Sequence, residues 1–347
     1  MKGLIFGGDR TVEYVEVQDP TPELGEVVLE MKASGICGSD LHMYRGPKGM
    51  RLLGVTASGP IIAGHEPCGV VVAVGSGVTE RQAKIGDRAM VHHYWGCGAC
   101  SHCRTGWAQM CDRQQPVVYG IGAHGGHANY LKVPAGTLVA LPDALSFAAG
   151  AAISCGTGTS YAALRRLGVS GGDTVAVFGQ GPVGLAATQL AAAMGARVIA
   201  VDISAERLAL AQSLGALDIV KADEGDPVAA IQGLTHGKGA EHALEASGAA
   251  TARAASVKSV RAWGSVAFVG VGGEPTVEVG AIMRRQITVF GSWTFSNVGQ
   301  GECARFIADR NIAADRIFTD RWRLEQGADA YRKVDEQKGG KGVFVFG

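Results

Sequence analysis

The sequence predicts an α/β fold in two parts, a mainly antiparallel β domain and a doubly wound parallel sheet with helices on both faces. Length is the first reason, because 347 residues exceed what one hydrophobic core usually organises. A change of rhythm is the second. As far as about Leu141 the chain runs in short β-branched or alternating segments between Gly, Pro and Asp turns, such as Tyr14–Val17, Val27–Met31, Val70–Val74 and Arg88–Val91. From Thr174 onward strand-like and helix-like segments alternate, and such alternation demands parallel strands joined by right-handed crossovers.

Composition narrows the function classes. A formal net charge of zero gives no global basic field for nucleic acid or an anionic membrane. No segment approaches the roughly 18 unbroken apolar residues of a membrane span, and the apolar run at the amino terminus is too short for a secretion signal. A cytoplasmic protein without nucleic-acid or membrane partners is therefore expected. In that compartment thiols stay reduced, so the eight cysteines call for a role other than disulfides.

Within the β domain, Gly35-Ile-Cys37-Gly-Ser39-Asp40-Leu-His42 is followed after a loop by Gly64-His65-Glu66-Pro67. A thiolate, an imidazole and a carboxylate drawn from separate segments are the ligands of an open, catalytic zinc site. Further on, Cys97, Cys100, Cys103 and Cys111 stand at spacings that let four sulfurs surround one ion. A closed four-thiolate shell makes that ion structural. Disulfides fit a reducing compartment poorly, and an iron–sulfur cluster usually comes with electron-transfer features that this sequence lacks.

The second domain opens on Thr174-Val-Ala-Val-Phe-Gly179-Gln-Gly181-Pro182-Val183-Gly184 and reaches Asp202 after an Ala/Leu-rich helix and a second strand. Gly179 permits the tight turn, Gly181 lets the backbone approach a pyrophosphate, and Gly184 lets helix pack on strand. The helix amino terminus then faces the phosphates. Asp202 accepts the hydroxyls of a free ribose diol and repels a 2′-phosphate, which favours NAD over NADP. Arg207 is placed to stack on adenine or reach a phosphate. Further strands are expected at 218–221, 242–246, 265–270 and 286–292, with a helix running to about Trp263 and a short loop at Lys338–Gly342.

Taken together with Ile85-Gly86-Asp87-Arg88, these motifs resemble the zinc-dependent medium-chain dehydrogenase/reductase family of zinc alcohol, polyol and threonine dehydrogenases, over essentially the full length. The resemblance implies a GroES-like catalytic domain at 1–156 with a structural zinc lobe at about 96–112. It implies a Rossmann domain at 157–291, a return to the catalytic domain at 292–347, and an active site in the cleft between the two. Two Zn2+ per chain are implied, the catalytic one held by Cys37, His65 and Cys155. Cys155 stands where the alcohol branch carries its third ligand and the polyol branch usually carries Glu.

In the same way Asp40 is implied to fix the tautomer of His65, and Glu66 to lie beside the metal. Ser39 would relay the substrate proton through the nicotinamide ribose to His42. Thr159, Pro182, Val183, Val269 and Val271 join the cofactor contacts, and His93, Trp95, Trp293 and the loop from Arg45 to Pro60 are candidate pocket walls. The expected activity is reversible, zinc-dependent and NAD-linked oxidation of a primary or secondary alcohol, aromatic alcohols included, to aldehyde or ketone, by a homodimer or homotetramer. A polyol or amino-alcohol dehydrogenase of the same family is the alternative. More distant rivals are a zinc-free quinone or enone reductase and a non-catalytic zinc-lobe binding module.

Overall fold

The computed structural model describes residues 1–50 and 59–347. The chain divides into one unit of residues 1–158, 295–337 and 341–347 and a second of residues 159–294 and 338–340.

In the first unit a seven-stranded sheet runs in the order Phe318–Trp322, Lys341–Val345, Glu26–Ile36, Pro67–Val74, Arg88–Val91 and Leu138–Ala140, with Tyr130–Pro134 also paired to Glu26–Ile36. All pairings are antiparallel except that of Phe318–Trp322 with Lys341–Val345. Its core is aliphatic: Val27, Leu29, Met31, Val71, Val91, Leu131 and Val133 are buried together. The long strand Glu26–Ile36 carries the chain straight into Cys37, the residue that caps the helix Gly38–Arg45. The final strand lies beside it, with Gly342 opposite Ile36 and Phe344 opposite Ser34.

In the second unit six parallel strands lie in the order Asp218–Lys221, Arg197–Asp202, Thr174–Phe178, Ala240–Glu245, Val260–Phe268 and Thr288–Gly291. Val175–Phe178 and Val198–Val201 are wholly buried, as strands covered by helices on both faces must be. The structure differs from the sequence expectation after Ala250. The helix ends at Ser259 and the next strand begins at Val260, because an irregular register beside Ala240 and His242, with Trp263 at φ 62°, absorbs the extra residues.

The Lys338–Gly342 segment also departs from a simple loop. Residues 338–340 group with the second unit, whereas Lys341 opens the final strand and is buried.

Candidate active site

The helix Gly38–Arg45 organises the first cluster. Asp40 accepts a hydrogen bond from the backbone N–H of Cys37 through Oδ2 (2.8 Å) and faces His65 Nδ1 through Oδ1 (2.9 Å). One buried carboxylate thus holds two prospective ligands, Cys37 three residues before it and His65 25 residues after it. A carboxylate only accepts, so Nδ1 bears the proton and Nε2 keeps its lone pair. The Ser39 hydroxyl, 3.2 Å away, donates to that lone pair.

His65 is aimed by the turn before it. Gly64 has φ 92°, and a Cβ there would fall 2.3 Å from Nδ1 of His127, so only glycine fits. Cys155 comes from a single π-helical turn, Ile153–Thr157, between the helices Phe147–Ala152 and Gly158–Leu167, and this widened turn sets it apart from the flanking helical registers.

The ligand atoms of Cys37, His65, Glu66 and Cys155 lie within 4.8 Å of one another. Those of Cys97, Cys100, Cys103 and Cys111 meet the same limit. Zinc–sulfur bonds of about 2.3 Å around a tetrahedral ion place two sulfurs about 3.8 Å apart. The Sγ–Sγ distances are 3.9 Å for Cys37–Cys155 and 4.0 Å for both Cys97–Cys103 and Cys100–Cys111. All eight cysteines are free thiols. Both donor sets therefore fit zinc.

Electrostatics agree with metal binding. In the lobe, backbone N–H groups of Ala99, Cys100 and Cys97 point at cysteine sulfurs, and the hydrogen bond from Cys97 heads the causes that draw the Cys111 thiol down to about 6. In the other cluster the Cys155 thiol, then His65, hold Cys37 well below the ordinary thiol range, against burial. Burial disfavours charge on His65, but Asp40 and Cys37 outweigh it and hold the ring above its ordinary value.

Glu66 is wholly buried, and burial pushes it up to about 7 despite the ammonium of Lys341. Lys341 Nζ donates to Glu66 Oε1 (2.7 Å) and to the carbonyl of Ile36 (2.9 Å). Among the described residues Glu66 Oε2 has no hydrogen-bond partner. Sequence reasoning missed Lys341. Its one signal was a lysine opening the apolar run Gly342-Val-Phe-Val-Phe346, and only the strand register shows that it reaches Glu66.

A second missed feature is a buried chain from Ser34 Oγ to His127 Nδ1 (2.8 Å) and from His127 Nε2 to the Tyr331 hydroxyl (2.8 Å).

The remaining expected residues fall in different places. His42 is exposed, three residues after Ser39 and so near its face of the helix. His93 is buried, its ring centroid 5.1 Å from that of His65, with Nδ1 3.1 Å from the Ser154 carbonyl. Trp95 is partly buried against the sheet's apolar core, its ring edge 2.9 Å from where a Cβ of Gly136 would sit. Trp293 belongs to the second unit and is exposed. Of the Arg45–Pro60 loop, residues 51–58 lie outside the described residues.

The second unit turns tightly at the end of Thr174–Phe178. Gly179 has φ 85°, and a Cβ on Gly184 would fall 1.7 Å from the Gly179 carbonyl, whereas Gly181 faces open space. Pro182 starts the helix Pro182–Ala193 without wasting an N–H donor. Val183 stands in its first turn, and its carbonyl accepts from Ser160 Oγ (2.7 Å), next to buried Thr159.

Asp202 ends its strand with the carboxylate accepting from the N–H groups of Gln180 and Ser204. Arg207 Nε donates to the Gly339 carbonyl (3.1 Å). The N–H of Val269 bonds to the Glu245 carbonyl (2.8 Å), and Val271 is exposed.

A dinucleotide-type turn in one unit and two donor sets of zinc-like spacing in the other are features of the dehydrogenase class of oxidoreductases. Residues 23–143 match the alcohol dehydrogenase GroES-like domain and residues 182–309 the zinc-binding dehydrogenase domain. The chain is 42% identical to the uncharacterized zinc-type alcohol dehydrogenase-like protein YphC of Escherichia coli K12, over 98% of this chain and 97% of that one.

It superposes on the alcohol dehydrogenase TADH of Thermus sp. ATN1 with a TM-score of 0.90, at 29% identity over 99% of each chain. It also superposes on the rspB alcohol dehydrogenase of E. coli CFT073, solved with NADH, with a TM-score of 0.87, at 26% identity over 100% and 99% of the two chains. The chain belongs to the zinc-dependent medium-chain dehydrogenase/reductase family, the zinc-type alcohol and polyol dehydrogenases.

Proposed function

We propose that the protein is an NAD-linked alcohol dehydrogenase with two zinc ions per chain, a catalytic one on Cys37, His65 and Cys155 and a structural one on Cys97, Cys100, Cys103 and Cys111. The observation that carries this reading is the convergence of Cys37, His65 and Cys155 within one ion's reach, beside a glutamate already paired to a lysine. When bound, zinc supplies Lewis acidity that makes an alcohol proton easier to lose, and NAD supplies the hydride acceptor.

The chain's own residues do the rest. Asp40 keeps the proton on His65 Nδ1, which leaves Nε2 for the metal. With Nε2 so engaged, Ser39 Oγ is free to take the proton of the substrate hydroxyl, and exposed His42 passes it to solvent. Lys341 engages one oxygen of Glu66 and so restrains a carboxylate that would otherwise compete for the fourth position. The turn Gly179–Gly184 seats the pyrophosphate, and Asp202 selects the unphosphorylated ribose.

The test is an NAD-reduction screen over primary, secondary, aromatic and polyhydric alcohols, with metal content measured on the same sample. Turnover at least tenfold faster with NAD than with NADP at equal sub-saturating concentrations is expected. Parity between the cofactors would defeat the role given to Asp202, and zinc-loaded protein inert on every alcohol and carbonyl would defeat the reading as a whole.

A further inference from the structure

Resting on that reading, we propose that Arg253 is a positioning residue for the nicotinamide half of the cofactor, and that it acts by fixing the glycine loop Gly270–Gly273 through a buried pairing with Glu245. The six parallel strands, numbered along the chain, lie in the order 3-2-1-4-5-6. A dinucleotide lies across the point where such an order reverses, with one mononucleotide on each half of the sheet. Asp202 ends the second strand and so stands on the adenosine side. The loops that follow Ala240–Glu245 and Val260–Phe268 belong to the other half, which leaves them the nicotinamide mononucleotide.

One carboxylate and one guanidinium tie these loops together. Glu245 is wholly buried, and its Oε1 accepts from the N–H groups of Ser247 (2.7 Å) and Gly248 (2.9 Å) and from the Ser247 hydroxyl. Its other oxygen, Oε2, faces Arg253 Nε at 3.4 Å. Arg253 reaches back from the helix Ala250–Ser259, and its two Nη groups donate to the carbonyls of Gly270 and Gly273. The guanidinium lies 5.4 Å from the centroid of the Phe268 ring, and the side chain is largely buried. A single planar fork thus serves three acceptors beyond two strand ends, which a lysine ammonium on its flexible stem cannot match.

What the fork holds is backbone packed on backbone. A Cβ on Gly270 would fall 2.2 Å from the Gly248 nitrogen, and one on Gly248 would fall 2.3 Å from the Val271 carbonyl oxygen. A Cβ on Gly273 would fall 2.3 Å from the Gly248 carbonyl oxygen. On the other side, a Cβ on Gly179 would fall 2.7 Å from Ser247 Cβ, so the dinucleotide turn rests on the same assembly. The run Val269-Gly-Val-Gly-Gly273 is mostly glycine, and glycine loses the most backbone freedom on ordering. Arg253 supplies contacts that offset this loss before the cofactor arrives, so that the cofactor need not order the loop itself.

The experiment measures the dissociation constants of NADH and of ADP by titration calorimetry on the zinc-loaded full-length protein. ADP fills the adenosine half alone, so it reports on the Gly179–Gly184 turn and Asp202 without the glycine loop. Arg253→Met keeps an apolar stem beside Phe268 and removes the donors. It should raise the NADH constant at least fivefold and leave the ADP constant within twofold of the wild type. Arg253→Lys keeps a charge beside Glu245 but loses the fork, and should raise the NADH constant at least threefold with the ADP constant again within twofold.

The split between the two ligands separates positioning from general support of the fold, because a loosened fold weakens both. NADH and ADP constants that rise in parallel overturn the proposal, as does an NADH constant that rises less than these limits. Arg253→Lys leaves the buried carboxylate paired, and its result alone decides the matter if Arg253→Met does not fold. A wild type that binds neither NADH nor ADP instead overturns the dinucleotide reading on which the proposal rests.

Discussion

Replacing Lys341 with methionine removes one partner of a wholly buried ion pair while keeping the length of the side chain. Lys341 Nζ lies 2.7 Å from Glu66 Oε1 and 2.9 Å from the Ile36 carbonyl, and both ionic side chains are 0% exposed. Water cannot compensate a carboxylate left alone there, and breaking a buried pair from one side costs about 3–5 kcal/mol. For a unit of this size each kcal/mol moves the thermal midpoint by about 2–4 °C, so Lys341→Met should lower it by on the order of 10 °C.

Adding Glu66→Gln removes the stranded charge, so the double variant should recover more than half of that loss, because the penalty lies in the unpaired group and not in the absent attraction. Differential scanning of wild type, both single variants and the double variant, each with zinc and after chelation, measures the cycle. Additive losses in the double variant would refute the reasoning, as would a Lys341→Met protein as stable as the wild type.

Two further predictions concern histidine burial and the cofactor turn. Burial pushes His127 down to about 4 from its ordinary 6.5, so the folded state keeps it neutral while the unfolded chain takes up a proton as pH falls below 6.5. That stability is present above pH 6.5 and lost toward pH 4, so the cost of His127→Asn should shrink by about 2 kcal/mol between pH 7 and pH 5. Urea unfolding at the two pH values checks this, and an unchanged cost contradicts it. Gly184→Ala puts a Cβ 1.7 Å from the Gly179 carbonyl, so NADH affinity measured by fluorescence should fall at least tenfold, and wild-type affinity would contradict the packing role of that glycine.

How far the sequence could be read follows from how local each feature is. The glycine turn lies within eleven residues of its strand's start, and the four-cysteine lobe spans Cys97 to Cys111, so spacing alone exposed both. Cys37, His65 and Cys155 are far apart in sequence. Cys37 and His65 suggested a site as residue types, but Cys155 could be joined to them only through resemblance. Lys341 was illegible because its partner is 275 residues away, and the register that joins them is set by pairing between the final strand and Glu26–Ile36. His127 escaped notice for the same reason, since Ser34 and Tyr331 meet it only through tertiary packing. Trp95 shows a similar limit, because an aromatic residue beside a site and one against a sheet's core look the same in sequence.

The most direct test of the central claim is zinc content and turnover measured together on wild type and Cys37→Ser. The wild type should hold two zinc ions per chain and oxidise an alcohol with NAD. The variant should hold one, retain its circular dichroism spectrum and lose turnover. A folded Cys37→Ser protein with two zinc ions, or with near-normal activity, would contradict a catalytic metal held by Cys37, His65 and Cys155.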